Sequence, residues 1–152
     1  MDHADMELAK QPIGYWTGVA NDAVIGYIRG ELARLGTSQP QYWLLRHLSV
    51  NDLNPDGQGQ TVPELTGRMR EFLRAEDDLG AESDRLVERG RLRRDGERRL
   101  WITDAGEAAR ADIKRHVPAW RERLHDGIDD ADYVTTVKVL RRMVENVGRE
   151  AA

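Results

Sequence analysis

The chain has no cysteine among its 152 residues, which excludes disulfides, thiol-based redox sensing and thiolate metal sites. Histidine is scarce too, and the four histidines lie too far apart in the sequence to form a metal-ligand pattern: His3, His47, His116 and His125. No glycine-rich phosphate loop, Ser/His/Asp order or carboxylate pair stands out. We therefore predict no metal, no cofactor and no enzymatic activity.

Long hydrophobic runs are also missing. No apolar segment approaches membrane-spanning length, and no basic and apolar leader opens the chain, so we expect a cytoplasmic protein with no membrane partner. The net charge of -4 argues against a general nucleic-acid binder. Its distribution is uneven, however. Residues 61–103 carry ten arginines against ten acids, and five of those arginines lie between Arg91 and Arg99.

The central segment contains two predicted helices. The first of them opens with a capping box formed by Thr61 and Glu64, and Pro63 pre-sets its first turn. Leu65, Met69 and Phe72 then recur on one helical face, which is expected to face the core.

The second of these helices is predicted from about Glu76 to Arg89. Leu79 and Leu86 face inward, and Gly90 is the left-handed residue that ends the helix.

The arginine-rich stretch that follows is predicted to be a hairpin. Asp95-Gly96 lies at its centre and is a strong signal for a two-residue turn, and Leu100-Trp101-Ile102-Thr103 supplies the closing strand. Helix, turn, helix and two-stranded wing in this order is typical of a DNA-binding module.

Amphipathic helices are predicted on both sides of the module. Apolar residues recur at three- and four-residue steps over 12–35, and Ser38 opens a shorter helix with a second capping box. Residues 49–60, rich in Asn, Asp, Gly and Pro, form a loop. Two helices are predicted over 104–148, the second with apolar residues spaced as in a coiled-coil seam. The predicted fold class is mainly α: a winged helix-turn-helix with a two-stranded wing and helices at both ends.

Four segments in this order carry a family resemblance. They are Leu35-Gly36-Thr37-Ser38-Gln39-Pro40-Gln41, Thr61-Val62-Pro63-Glu64-Leu65, Leu86-Val87-Glu88-Arg89-Gly90-Arg91-Leu92 and Ile102-Thr103-Asp104-Ala105-Gly106. With them, nearly the whole chain resembles the MarR family of bacterial transcription regulators. The chain departs from the family pattern in having a short wing and a long 49–60 loop.

The resemblance implies a homodimer. Residues 1–152 would form a single MarR-like domain, with helices 12–35 and 104–148 in the dimerisation region and 38–103 in the winged-helix DNA-binding lobe. The implied partner is double-stranded DNA with pseudo-palindromic operators, often released when a small aromatic effector enters a cleft. The alternative is a degenerate relative that dimerises and binds ligand or protein without sequence-specific DNA binding.

Candidate DNA-binding residues come from both helices of the module, from the turn between them and from the wing. If Leu79 and Leu86 face the core, the residues on the opposite face would enter the groove, although phosphate repels the carboxylates among them. Arg85 is the best candidate for reading guanine, and the wing arginines for contacting phosphate, unless they merely form a solvated strand edge. The full set is Thr61, Arg68, Arg70, Arg74, Asp77, Ala81, Asp84, Arg85, Arg93, Arg94, Arg98 and Arg99.

Other patterns have both a functional and an ordinary interpretation. A ligand pocket for the aromatic effector would use Trp16, Trp43, His47 and Trp120, although tryptophans at helical spacing are more often core. Residues 52–57 copy the opening of a calcium loop, but the acid expected at its end is missing, which favours a polar turn. The acids at 129–132 are most simply helix caps rather than a metal cluster.

Overall fold

The computed structural model of the protein describes residues 1–148 and is mainly helical, as the sequence predicts. Within these residues the elements are α1 (His3–Leu8), α2 (Ile13–Arg34), α3 (Gln39–Leu48), α4 (Val62–Met69), α5 (Leu79–Glu88), β1 (Leu92–Arg94), β2 (Leu100–Ile102), α6 (Asp104–His125) and α7 (Asp130–Gly148). The predicted order of helices and wing is present, and the short helix α1 was not predicted. No helix among the described residues is long and apolar enough to cross a membrane.

Side-chain caps set the starts of α3 and α4. The Thr61 hydroxyl accepts from the Glu64 amide, and the Glu64 carboxylate accepts from the Thr61 amide, so this predicted capping box is present. Ser38 caps α3 by accepting from the Gln41 amide at 3.2 Å. The second predicted box is incomplete, because the Gln41 side-chain oxygen accepts from the Thr37 hydroxyl rather than from the Ser38 amide, while its nitrogen donates to Glu82.

Helix α5 is shorter than predicted. Asp78 accepts from the Ala81 amide and caps the helix, which therefore begins at Leu79 rather than near Glu76. The helix ends where predicted, because Gly90 adopts a φ of 71° just beyond it.

The chain divides into two compact units, Met1–His116 and the part from Val117 onward. The first unit is organised by one hydrophobic core, in which α3, α4, α5 and the hairpin meet. Its buried members are Leu44, Leu45, Leu48, Leu65, Met69, Leu79, Leu86, Leu92 and Leu100. Helix α2 belongs to the same unit and buries Leu32 completely.

The hairpin is antiparallel, with Arg93 opposite Trp101 in its register. Its turn differs from the predicted two-residue turn. The Asp95 amide donates to the Arg99 carbonyl and the Arg98 amide to the Asp95 carbonyl, so three residues, 96–98, form the loop. The left-handed position falls on Arg98, with a φ of 63°. The tip is held by Asp95, whose carboxylate accepts from the backbone of the turn and from the indole of Trp101.

In the second unit the end of α6 meets the start of α7. The rings of His125 and Tyr133 lie 4.3 Å apart between centroids. Helix α7 exposes a row of apolar side chains: Tyr133, Val134, Val137, Val139, Met143, Val144 and Val147.

Candidate nucleic-acid interface

Helix α5 packs one face against the core and leaves the opposite face exposed. Leu79, Ser83 and Leu86 are buried. Asp84 and Arg85 are exposed on the other side, as predicted for groove-facing residues, whereas the predicted Ala81 is half-buried. An exposed side chain on a helix anchored in this way can reach the edges of bases in a major groove.

Asp77 does not lie on this face, so the prediction that it faces the groove is wrong. It precedes α5, and only 7% of its side chain is exposed. Both carboxylate oxygens accept from Arg29 on α2, at 3.0 and 2.9 Å, and one also accepts from the Arg74 amide at 2.7 Å. The Arg29 guanidinium, followed by the Arg74 amide, holds the pKa of Asp77 below its ordinary value despite burial. The predicted helix starts with three successive acids, Glu76, Asp77 and Asp78, but the third of them is the N-cap of α5, so Asp77 lies before the helix.

Glu82 is a second acid that is engaged within the lobe. Its carboxylate accepts from the Ser38 hydroxyl at 3.0 Å and from the Gln41 side chain at 2.6 Å. Arg85 donates to the other oxygen at 2.9 Å. With 15% of its side chain exposed, Glu82 presents little charge to a ligand outside the lobe.

Arg94 connects the wing to α5. Its guanidinium lies 2.8 Å from the Asp84 carboxylate and 3.3 Å from the Ser83 hydroxyl. The structure therefore brings together two residues that were predicted as separate DNA contacts.

Two other wing arginines are also engaged. Arg93 lies over the Trp101 ring, 5.0 Å from its centroid. Arg99 donates to the Gly59 carbonyl at 2.9 Å and lies 3.1 Å from Glu64. The hydrogen bond from the Thr61 amide is the main cause of the lowered pKa of Glu64, and the positive charge of Arg99 lowers it further.

Arg98 is the wing arginine available for a ligand. Its side chain is exposed and makes no hydrogen bond or ion pair with the other described residues. It borders a cleft of about 560 Å³ between the start of α4 and the wing, lined by Thr61, Val62, Pro63, Arg94, Glu97 and Arg98. The predicted contacts Thr61, Arg94 and Arg98 thus share one surface.

The remaining candidate phosphate contacts lie on α4 and the turn after it. Arg68 and Arg70 are exposed, and Arg74 is half-buried. Within residues 1–148, none of the three side chains forms a salt bridge. Their charge is free to attract a polyanion.

Trp43 and His47, two of the four predicted pocket residues, lie together on α3. The Trp43 ring stacks on Phe72, 4.5 Å away and inclined by 14°, and Arg46 lies 4.8 Å from its centroid. His47 lies 5.8 Å from Trp43 between ring centroids. Burial, followed by the nearby Arg46, lowers the pKa of His47 and favours its neutral form. Phe72 was predicted on the core face, but α4 ends at Met69, so its ring turns to Trp43 instead.

The other two predicted pocket residues have different surroundings. Trp16 is half-exposed, meets Tyr15 edge-on and donates to Gln11. Trp120 is buried and belongs to the second unit.

The long loop 49–60 is tied down by ion pairs. Asp52, with 6% of its side chain exposed, lies 3.1 Å from Arg46 and 3.5 Å from Arg110 on α6. Ser49 donates to Glu107 at 2.6 Å. Two guanidiniums therefore engage the Asp52 carboxylate, which would be the first ligand of a calcium loop, and this favours the interpretation of an ordinary polar turn.

Solved structures resemble this chain in fold. The reduced form of MarR from E. coli superposes with a TM-score of 0.66 at 20% identity, over 88% of this chain and 94% of that one. A MarR-family transcriptional regulator from Rhodococcus sp. RHA1 gives 0.64 at 23% identity, over 89% and 92%. A MarR transcriptional regulator from Methanosarcina mazei Go1 gives 0.62 at 22% identity, over 92% and 91%. No protein-family model matches the sequence, and no curated protein matches it significantly. The chain thus has the winged helix-turn-helix fold of these MarR regulators.

Proposed function

We propose that this protein is a MarR-like transcriptional regulator that binds double-stranded DNA with pseudo-palindromic operators as a homodimer in the cytoplasm. The observation that carries the proposal is one surface on which exposed side chains of α5 adjoin an arginine-bearing wing. The core holds α5 from behind, Arg85 is exposed on its front, and Arg94 ties the wing to it through Asp84. Arg85 would read guanine, while Arg98 and Arg68 would contact phosphate. Nothing in this arrangement calls for an enzymatic step.

Dimerisation belongs to the same proposal. We assign it to α2 together with α6 and α7, because α2 and α7 expose apolar side chains that a second chain would cover. The winged-helix lobe, 38–103, would then be presented twice, once to each operator half-site.

An aromatic effector is the finer part of the proposal. The stacked pair of Trp43 and Phe72 beside His47 suits a planar aromatic ligand. Arg46 is poorly suited to pairing with the carboxylate of such a ligand, because Asp52 already occupies its guanidinium. Quenching of tryptophan fluorescence by simple aromatic acids, lost in Trp43→Phe, would support this site; a wild-type protein that responds to none of them would remove it.

The alternative is a degenerate regulator that dimerises without reading DNA. One observation favours it: Arg85, Arg94 and Arg99 are each paired with an acid of the same lobe, which reduces the positive charge offered to DNA. The salt dependence of DNA binding distinguishes the two functions.

The test is a gel-shift titration with the DNA that flanks the protein's own coding sequence, repeated at several salt concentrations. Replacing Arg93, Arg94, Arg98 and Arg99 by alanine should weaken binding to every sequence and flatten the salt slope. Arg98→Ala alone should lower the slope by about one, because its charge is unpaired. Arg85→Ala should instead reduce discrimination at one or two base pairs per half-site by about 1–3 kcal/mol.

The matched control is Arg34→Ala, which removes the same charge from α2, where 79% of the side chain is exposed. It should leave the slope unchanged. A wild-type protein that binds no DNA at low salt would favour the alternative function. Wing variants whose binding has an unchanged salt dependence would show that DNA lies on another face.

A further inference from the structure

A polar seam connects α2 and α3 with the N-terminal end of α5. Its six members are Arg29, Ser38, Gln39, Gln41, Asp77 and Glu82. They come from three separate stretches of the chain and form two ties to α5, one just before its first residue and one in its first turn.

The first tie is the bidentate pair of Arg29 and Asp77. The two terminal nitrogens of Arg29 donate to the two oxygens of Asp77, and its Nε donates to the Gln39 side chain at 2.9 Å. All three guanidinium nitrogens are thus engaged. A planar fork held on two sides permits one orientation, whereas a lysine ammonium would permit many. The pair therefore fixes the distance and angle between α2 and the turn before α5.

Asp77 passes this restraint to α5 through the backbone. Its carboxylate accepts from the Arg74 amide, and its own amide donates to the Arg74 carbonyl at 3.1 Å, which closes the turn. The next residue, Asp78, caps α5. Glu82 adds the second tie through Ser38 and Gln41 at the start of α3.

We infer that Arg29 and Asp77 are positioning residues for DNA binding, which hold α5 at a fixed angle to the dimerisation helix α2. The inference rests on the proposed function. In a homodimer whose contacts include α2, the angle between α2 and α5 sets the separation of the two copies of α5, and operator half-sites require a fixed separation. Neither side chain reaches DNA in this arrangement. The pair therefore affects the fit to two half-sites and does not change the non-specific attraction to phosphate.

The test compares Arg29→Gln, Asp77→Asn and the double variant with the wild type. The matched control is Arg34→Gln, the same change on the same helix at an exposed arginine paired only with Glu31 on its own helix. Arg29→Lys keeps the charge and serves if the glutamine variant fails to fold. Binding is measured on a duplex that the wild-type protein selects from the DNA flanking its coding sequence, and on a scrambled duplex. Amide hydrogen exchange is followed at Arg74.

We expect each single variant to bind the selected duplex roughly tenfold more weakly, and the double variant to lose no more than either single one. Binding to the scrambled duplex and the salt slope should be unchanged. The Arg74 amide should exchange faster, because its acceptor is no longer held in place. The control should match the wild type in every measurement.

Three results would overturn the inference. A salt slope lowered by about one in Arg29→Gln would mean that Arg29 contacts phosphate directly. Additive losses in the double variant would mean that the two residues act separately. Unchanged binding to the selected duplex together with unchanged exchange at Arg74 would mean that the pair positions nothing. If the wild-type protein selects no duplex, the proposed function fails, and exchange at Arg74 and in α5 then decides alone whether the pair holds the helix.

Discussion

Carboxylates beside α5, the helix that we propose faces DNA, would oppose binding unless each has a partner, and most of those in this lobe have one. Asp77 is held by Arg29, and Glu82 by the start of α3. Asp84 is different, because 62% of its side chain is exposed while it holds Arg94. An exposed ion pair of this kind is worth about 0–1 kcal/mol, so a DNA phosphate can take the place of Asp84 beside Arg94 at little cost. Under the proposed function, Asp84 would thus be an internal substitute for phosphate.

This role predicts the effect of Asp84→Asn. The substitution should release Arg94, strengthen binding to non-specific DNA and steepen the salt slope by about one, because one more cation displaces counterions. Specificity should fall if the carboxylate also accepts from a cytosine amino group. The measurement is a fluorescence-anisotropy titration over a salt series. Asp126→Asn makes the same change at an exposed position in the second unit, and an equal effect there would show that only net charge matters.

At the scale of elements, the wing depends on a single carboxylate. The Asp95 side chain accepts from the amides of Glu97 and Arg99 and from the Trp101 indole, each at 2.9 Å. These bonds compensate for the left-handed backbone conformation of Arg98, which residues other than glycine seldom adopt. The short hairpin therefore keeps its shape although the two strands have only three residues each.

The wing should consequently open in acid. The Trp101 indole, followed by the Arg99 amide, lowers the pKa of Asp95 below its ordinary value. A carboxyl whose pKa is lower in the folded state contributes its stability above the ordinary pKa and loses it as the pH falls through the folded value. The NMR signal of the Trp101 indole N–H should therefore shift with a midpoint below the ordinary pKa of aspartate. Asp95→Asn should abolish the titration; a midpoint at or above the ordinary value would contradict this account of the tip.

At the scale of the whole molecule, the two ends of the chain leave apolar surface uncovered. Ile13 and Trp16 are exposed on α2, and Val137 and Val144 on α7. Burial of apolar surface is the main favourable term in association, so these faces favour a second copy of the chain.

We expect light scattering at micromolar concentration to give twice the mass of the chain. Val144→Asp should shift the equilibrium towards the monomer, because the carboxylate would lose its water in the interface. Val50→Asp, at an exposed valine of the 49–60 loop, is the matched control and should leave the mass unchanged. A monomeric wild-type protein would remove the proposed assembly.

Local sequence patterns were sufficient to predict the elements and the fold, because caps, helical periodicity and turn residues act over a few neighbouring positions. The Thr61 capping box, Gly90 after α5 and the arginine-rich hairpin were all readable in this way. It also placed Asp84 and Arg85 on the exposed face of α5.

The pairing of the charges, in contrast, follows from how the helices pack in three dimensions. Arg29 and Asp77 are 48 positions apart, and no local pattern joins them. The same holds for the contact of Arg94 with Asp84 and for the two arginines that hold Asp52. Charged side chains have long, rotatable stems and similar propensities, so their partners depend on which helices the core brings together. For that reason no pattern in the sequence indicated that several of the candidate DNA contacts are engaged within the lobe.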